Sequence, residues 1–280
     1  HHDYAKFYVA RIWQHLGRKS DALILYAACA KTRPDLVGIS DFINEIILGE
    51  CAPDPENTSP PLGEKTADSP ARLPRISIIV LCYNKVEYTD RCLTYLFKNT
   101  SYPNYEVIAV DNASVDDTPA FLETFSKRIR FVHSPSNLGF VGGNNKASEY
   151  ADGEYLVFLN NDTEVQPGWL EHLYECFELY PEAGAVGAKL IYPNYILQEA
   201  GGIIFQDGSG WNYGKGNYPH AARFSFAREV DYCSGAALMV RKDLFFKLGK
   251  FDPRFAPAYY EDTDLCFSIR KLGYKVMYCP

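Results

Sequence analysis

The stretch Tyr155-Leu156-Val157-Phe158-Leu159-Asn160-Asn161-Asp162-Thr163 decides the fold. Its first five residues are mostly apolar and rich in aromatic and branched side chains, which predicts a strand buried on both faces. The chain then turns polar and reaches a carboxylate. An acid at the carboxyl end of a central strand lies where open α/β sheets bind ligands. Asp162 is therefore a candidate ligand of Mg2+ or Mn2+, although Asn, Asp and Thr also form ordinary turns.

Length and composition limit the classes of protein. The chain has 280 residues, 47% of them hydrophobic, which is enough for one large domain and one small one. Its formal net charge of −7 and scattered cations argue against binding to nucleic acid. No apolar run is long enough to span a bilayer, and the N-terminus lacks a signal-peptide layout. The eight cysteines form no Cys-x-x-Cys pair, which predicts reduced thiols in a cytoplasmic protein that could also act at the inner face of the membrane.

The N-terminal part predicts a small helical segment over residues 1–49. It resembles one tetratricopeptide unit in its small residues at Ala10 and Ala22, its aromatic at Tyr26 and its closing Pro34. A single unit cannot bury its own face, so we expect a docking or capping appendage that could contact a protein partner. Residues 50–74, rich in Pro, Ser, Thr, Asp and Glu, predict a linker.

The remaining residues, 75–280, predict one α/β domain. Strands at 75–81, 105–110, 129–133 and 155–159 alternate with helices near 86–98, 117–126 and 141–150. This order predicts a doubly wound, mostly parallel sheet with right-handed crossovers. Ligands are then expected at the carboxyl ends of the strands.

Polar residues follow all four predicted strands. They are Tyr83-Asn84, Asp111-Asn112, the segment from Asn137 to Gly139, and Asn160-Asn161-Asp162. An aromatic face, amides, carboxylates and a metal-binding acid match the base, ribose and phosphates of a nucleoside diphosphate. Loop chemistry explains any one of these turns equally well, but not four at one edge of a sheet. The chain lacks the glycine-rich loops of P-loop NTPases and dinucleotide dehydrogenases.

The C-terminal part adds a second group of candidates. Residues 201–216 are rich in Gly and carry Trp211, which predicts a long loop or flap over the pocket. A turn and strand over 231–240 and a short helix over 242–248 follow. Glu261-Asp262 then precedes a helix that reaches Leu272. These acids could stabilise the helix N-terminus, with Asp262 or Thr263 as N-cap, or could accept a proton in catalysis.

Five ordered motifs over roughly 75–280 resemble the family-two inverting glycosyltransferases, in particular their rhamnosyltransferase-like branch. They are Tyr83-Asn84, Val110-Asp111-Asn112-Ala113-Ser114, Asn137-Leu138-Gly139-Phe140, Leu159-Asn160-Asn161-Asp162 and Tyr260-Glu261-Asp262-Thr263-Asp264-Leu265. The resemblance implies the GT-A fold, a UDP- or dTDP-linked sugar donor, a saccharide or glycoconjugate acceptor, and Mn2+ or Mg2+. Hexosyl or rhamnosyl transfer is the implied reaction.

The resemblance also implies roles for individual residues. Asp162 would bind the metal, and Asp262 would be the general base, with Glu261 as the alternative. The donor would be bound by Tyr83, Asn84, Asp111, Asn112, Asn137, Gly139, Asn145 and Asn161, with Tyr83 stacking on the base. Candidates for contact with the acceptor are Trp211, Ser234, Gly235 and Tyr260.

Three features depart from the family pattern. Asn160 replaces the first acid of the Asp-x-Asp motif, so we expect the cation to be shared between Asp162 and the diphosphate. Ser268 stands where many relatives carry an Arg. Relatives often supply a His ligand after the segment that ends here at Pro280, so we expect the domain to be truncated. Two other functions stay open, a non-catalytic nucleotide-sugar-binding or protein-interaction module and a nucleotidyltransferase.

Overall fold

The structure is a computed structural model that describes residues 73–280. An eight-stranded sheet runs through this domain. Its strand order is β10-β12-β5-β11-β4-β1-β2-β3. The tetratricopeptide-like segment predicted over 1–49 and nearly all of the linker predicted over 50–74 lie outside the described residues, so both stay predictions.

The strands are β1 (Ile76–Cys82), β2 (Tyr105–Asp111), β3 (Arg130–His133), β4 (Tyr155–Asn160), β5 (Ala183–Ala188), β6 (Leu190–Ile191), β7 (Leu197–Glu199), β8 (Gly202–Ile204), β9 (Gly210–Asn212), β10 (Arg228–Glu229), β11 (Ala237–Arg241) and β12 (Lys275–Cys279). The helices are α1 (Val86–Asn99), α2 (Thr118–Thr124), α3 (Gly139–Ser148), α4 (Trp169–Leu179), α5 (Lys242–Lys247) and α6 (Glu261–Lys271). Short 3-10 turns cover Ala222–Phe224 and Pro253–Phe255.

The centre of the sheet is parallel. Strand β1 pairs in parallel with both β2 and β4, and β2 pairs in parallel with β3. The register places Cys82 opposite Asp111, and Asp111 opposite His133. The polar segments after these strands therefore meet at one edge, as the alternating pattern predicted.

Apolar side chains cover both faces of the sheet. Ile78 on β1 packs on one face in a cluster with Leu93 of α1, while its neighbour Ile79 packs on the other face in a cluster with Val141 of α3. Helices on both faces of a mostly parallel sheet confirm the predicted fold class.

The C-terminal half departs from the simple alternation. Strand β11 lies between β4 and β5 and runs antiparallel to both, whereas β12 is parallel to β5. The segment 169–188 contains α4 and β5, neither of which was predicted. Residues 201–216, predicted as a long loop, contain the hairpin β8-β9.

Helix α6 begins two or three residues earlier than the acids suggested. Tyr260 is its N-cap, in the left-handed region with φ 69° after Tyr259 with φ 84°, so the prediction of Asp262 or Thr263 as N-cap is wrong. Two successive non-glycine residues with positive φ represent local strain, which tends to occur at functional sites. The strained turn sets Asp262 in the first turn of the helix.

Two further predictions concern the described residues. Six cysteines in this part of the chain, Cys82, Cys92, Cys176, Cys233, Cys266 and Cys279, are free and buried. Between residues 73 and 280, no helix combines the length and the apolar character needed to cross a membrane.

Candidate active site

Asp111 is fully buried at the end of β2. Its Oδ1 accepts a hydrogen bond from the Ser114 amide at 3.1 Å, and its Oδ2 lies 2.8 Å from His133 Nδ1. One oxygen is thus bonded to the loop after β2 and the other to the end of β3. His133 was not among the predicted site residues, although its place at the end of the adjacent strand was a usable signal.

Asn112 and Asn137 lie together and organise the loop before α3. Asn112 Nδ2 donates to Asn137 Oδ1 at 2.9 Å, and Asn112 Oδ1 accepts from the Leu138 amide at 2.9 Å. Asn137 Oδ1 also accepts from the Gly139 amide at 2.8 Å. The two amide side chains therefore fix this loop at the edge of the sheet where the polar segments collect.

The segment after β1 leaves an aromatic ring free. Asn84 Oδ1 accepts from the Val115 amide and the Asn84 amide donates to Ser114 Oγ, both at 2.8 Å. Neighbouring Tyr83 is 49% exposed. Asn84 thus ties two loops together, while the Tyr83 ring remains available for stacking on a planar group.

Asp162 is exposed beyond the end of β4. Its neighbour Asn161 donates through Nδ2 to Thr89 Oγ1 at 3.0 Å. Over residues 73–280, no group of three or more His, Cys, Asp and Glu side chains could hold a metal ion. The chain thus offers one exposed carboxylate here, which fits a cation such as Mg2+ that completes its shell with phosphate oxygens and water.

Gly139 and Asn145 make close contacts with the segment that follows α5. Gly139 has φ +67°, and a Cβ there would lie 2.8 Å from the Pro257 carbonyl oxygen. Asn145 donates to the Phe251 carbonyl at 2.7 Å and accepts from the Phe251 amide at 3.0 Å. Both ends of its amide are occupied, which favours a packing role for Asn145 over the expected contact with a donor.

Asp262 is half-buried in the first turn of α6. Its Oδ2 accepts from the Gly235 amide at 2.9 Å, and its Oδ1 accepts from the Thr263 amide at 2.7 Å. The carbonyl of Ala236 in turn accepts from the Asn160 amide at 3.0 Å. Since Asp162 follows two residues later, this chain of bonds brings the loop of Asp162 and the carboxylate of Asp262 to the same edge of the sheet.

Two buried carboxyl groups flank this turn. Glu261 is 5% exposed, and burial, with the negative charge of Asp262 as a smaller cause, raises its pKa to about 7. Glu199 is 1% exposed, and burial followed by Asp262 raises its pKa to about 7 as well. The sequence analysis missed Glu199. Its alternation with buried Leu197 was a signal, because the two side chains share one face of β7.

Two acceptor candidates, Trp211 and Tyr260, lie in or against the hairpin β8-β9. Trp211 is 51% exposed, and Tyr260, 47% exposed, donates through its hydroxyl to the Gly208 carbonyl at 3.3 Å. The Ser234 amide donates to Glu199, and a Cβ on Gly235 would lie 3.2 Å from Phe140 Cζ. The hairpin is therefore held beside the N-terminus of α6 and Asp262.

Comparison with known proteins gives the family. Residues 77–248 match the description "Glycosyl transferase family 2", a range that includes Asp162 but ends before Asp262.

The chain belongs to glycosyl transferase family 2.

Several proteins of known sequence are similar to this family member. The O-antigen biosynthesis protein RfbC of Myxococcus xanthus is 32% identical over 79% of this chain and 18% of its own length. An uncharacterized protein of Sinorhizobium fredii is 30% identical over 74% of this chain and 24% of its own. The N-acetylglucosaminyl-diphospho-decaprenol L-rhamnosyltransferase of Mycobacterium tuberculosis is 26% identical over 73% of both chains. This chain thus spans a quarter or less of the first two relatives.

Solved structures share the fold. A crystal structure of GalNAc-T7 with UDP, GalNAc and Mn2+ aligns with TM-score 0.62 and 15% identity over 75% of this chain and 43% of that one. The mannosyltransferase PcManGT of Pyrobaculum calidifontis, in complex with GDP-Man and Mn2+, aligns with TM-score 0.56 and 19% identity over 77% and 57%. The family member therefore has the GT-A-like fold expected from its motifs.

Proposed function

We propose that this chain is a metal-dependent inverting glycosyltransferase, which moves a sugar from a nucleoside-diphosphate sugar to an acceptor hydroxyl. The observation that carries the proposal is the link from Asp262 through Gly235 and Ala236 to Asn160. It brings a hydrogen-bonded carboxylate to the same edge as the Asp162 loop. Transfer in one displacement needs a proton acceptor and a diphosphate site at one cleft.

Asp262 is the proposed general base. Its two amide bonds hold the carboxylate in one orientation, and it removes the proton of the acceptor hydroxyl as that oxygen attacks the anomeric carbon. The bond between this carbon and the diphosphate oxygen breaks in the same step, which inverts the configuration. Glu261 is the weaker candidate, because its side chain is only 5% exposed and is therefore less accessible to an acceptor hydroxyl.

The donor is proposed to bind at the carboxyl ends of β1 to β4. Tyr83 presents a free ring for the nucleotide base, while Asp111, Asn112, Asn137 and Asn84 shape the surrounding loops. Asp162 would hold Mn2+ or Mg2+, which when bound neutralises charge on the diphosphate. The Mn2+ in both structural neighbours supports a divalent cation. The name of the Mycobacterium tuberculosis relative, an L-rhamnosyltransferase, supports rhamnosyl transfer. Hexosyl transfer is the alternative, and the proposed donor is a UDP- or dTDP-linked sugar.

The proposed acceptor is a saccharide or glycoconjugate that enters beside the β8-β9 hairpin. Trp211 and Tyr260 expose about half of their surface there, and aromatic faces pack well against sugar rings. The protein is further proposed to be cytoplasmic, and residues 1–49 are proposed to contact a protein partner.

The test is a panel of UDP-, dTDP- and GDP-sugars incubated with Mn2+ and simple saccharide acceptors. Release of nucleoside diphosphate that requires both acceptor and metal supports the enzyme. Binding of a nucleotide sugar without turnover on any acceptor would favour the non-catalytic binding module instead. Release of pyrophosphate from a nucleoside triphosphate and a sugar phosphate would identify a nucleotidyltransferase.

A further inference from the structure

Next to the proposed base lies a carboxyl group that the transfer step does not use. Glu199 is 1% exposed, and its Oε1 accepts from the Ser234 amide at 2.9 Å. Its Oε2 is also buried and has no hydrogen-bond partner among residues 73–280. Burying a carboxyl group with an unpartnered oxygen costs free energy. A strand that places this side chain inside the domain therefore suggests a role beyond packing.

One turn connects Glu199 to the proposed base. The amides of Ser234 and Gly235 are consecutive in the chain, and they donate to Glu199 Oε1 and Asp262 Oδ2 respectively, each at 2.9 Å. The carbonyl of the following residue, Ala236, accepts from the Asn160 amide at the end of β4. Three successive residues are thus tied to the buried carboxyl, to the base and to the central strand.

The turn has little freedom to adjust. Cys233, just before it, packs so closely on β5 that a Cβ on Gly187 would lie 2.1 Å from the Cys233 Cβ. On the other side, a Cβ on Gly235 would lie 3.2 Å from Phe140 Cζ and 3.7 Å from the Asp262 Cβ. A shift of the Ser234 peptide must therefore move the Gly235 amide that bonds the base.

We propose that Glu199 is a positioning residue for Asp262: it holds the Ser234 amide, and the turn in consequence aims the Gly235 amide at Asp262 Oδ2. The kinetic part of this proposal rests on the glycosyltransferase function. The hydrogen-bonded chain itself can be tested without turnover.

Several other titratable or charged groups surround Glu199. Four of them have a raised pKa: Tyr232 and Cys233 before β11, Cys266 on α6 and Tyr278 on β12. Burial is the main cause of each shift, and the negative charge of Glu199 is a smaller one. The guanidinium of Arg228 bonds the carbonyl of Ala200, the residue after Glu199. Because the raised pKa values keep the phenols and thiols neutral, ionisation of Glu199 near pH 7 adds one negative charge beside the turn. Glu261, on the other side of Asp262, titrates in the same range.

The direct test is an NMR titration of the Gly235 amide. The sequence has two Ser-Gly pairs, Ser209-Gly210 and Ser234-Gly235, so ¹³C-carbonyl serine combined with ¹⁵N-glycine yields two signals. We expect the Gly235 signal to shift with a midpoint near pH 7, to lose this step in Glu199→Gln and to keep it in Glu261→Gln. The Gly210 signal is the internal control. Persistence of the step in Glu199→Gln, or its loss in Glu261→Gln, would overturn the proposal.

The kinetic test uses whichever nucleotide sugar of the panel the unmodified protein turns over. Glu199→Gln should lower kcat by about tenfold to a hundredfold and leave the donor KM within about twofold. The shape of its pH-rate profile should change near pH 7. Glu229→Gln, on the exposed Glu229, is the matched control with unchanged kinetics, and circular dichroism checks that each variant is folded.

A kcat loss equal at every pH, with an unaltered profile, would show a merely structural effect and overturn positioning. Absence of turnover in the unmodified protein on every donor would refute the proposed function instead. In that case the Gly235 titration still decides whether Glu199 controls the turn.

Discussion

The acids on the two sides of the candidate site have opposite surroundings. On the donor side, formed by the loops after β1 to β4, Asp162 is exposed. On the acceptor side, formed by β7 to β9, the turn 233–236 and the start of α6, Glu199 and Glu261 are 1% and 5% exposed. Burial raises the pKa of each of these two groups to about 7.

This difference separates two kinds of chemistry. An exposed carboxylate is accessible to a cation from solvent, so Asp162 suits a metal ion that in turn binds phosphate oxygens. Buried carboxyl groups take up or release protons close to neutral pH, so the acceptor side suits proton transfer. Asp262 lies on this second side, held by two amides.

The first prediction, with the greatest change in rate, concerns the acceptor side alone. Asp262→Asn keeps an oxygen that can accept from Gly235 but removes the proton acceptor, so turnover should fall by about 10²–10⁴-fold. Donor affinity, measured by calorimetry with Mn2+, should stay close to that of the unmodified protein. Weakened donor affinity with normal turnover would assign Asp262 to the donor side instead.

The second prediction concerns pH and the buried carboxyl groups. Their pKa lies near 7 in the folded protein against an ordinary value of 4.5. The folded state therefore binds more protons between these values, and the free energy of unfolding falls as pH rises through the window. Each group accounts for at most about 3 kcal/mol of this fall in the free energy of unfolding. Glu199→Gln and Glu261→Gln should each flatten the decline in denaturant unfolding between pH 5 and pH 8.

The matched control for this titration is Glu229→Gln, whose side chain is exposed. It should retain the full decline. A variant at Glu199 with the same slope as the unmodified protein would show that this carboxyl group is ionised throughout the range.

The third prediction concerns metal-dependent nucleotide binding on the donor side. Asp162→Asn should weaken Mn2+-dependent binding of a nucleoside diphosphate by about tenfold, or roughly 1.4 kcal/mol, because the carboxylate charge is lost. Binding without metal should not change. Asp243→Asn, at another exposed acid, is the control in the same calorimetric titration. Identical affinities of the unmodified protein with and without Mn2+ would remove the metal from the donor side.

The last prediction, with only a several-fold change, tests base stacking on the donor side. Tyr83→Ala removes a ring that is 49% exposed and should weaken nucleotide binding several-fold, since an aromatic pair contributes about 1 kcal/mol. Its kcat at saturating donor should be preserved. Tyr218→Ala, at a ring that is 63% exposed, should not alter either quantity. A fall in kcat alone would place Tyr83 nearer to the reacting atoms.

The edge at which the polar segments collect could be predicted because its signals are local. Apolar runs that end in Tyr83, Asp111 or Asn160 are visible in a few residues, and parallel pairing then brings the ends of these runs to one edge of the sheet. Strand β5 could not be found in this way. Its residues Ala183–Ala188 read AGAVGA and, apart from Val186, lack the branched or aromatic side chains that identify a buried strand.

Side-chain bonds to distant partners could not be predicted from the sequence. Asn145 was named as a donor-binding amide, and its partner Phe251 is 106 positions away. Glu199 was not named at all, and it is bonded to Ser234, 35 positions away. No local pattern reports such contacts.

The α/β alternation, the edge at which polar segments collect and the family motifs follow from the amino-acid sequence alone, because they depend on hydrophobic periodicity and short runs of residues. The folded structure was needed to show which acids are buried, which amides hold Asp262 and how β11 enters the sheet. Burial and hydrogen-bond partners arise from contacts between segments far apart in the chain, and those contacts set the pKa of a carboxyl group.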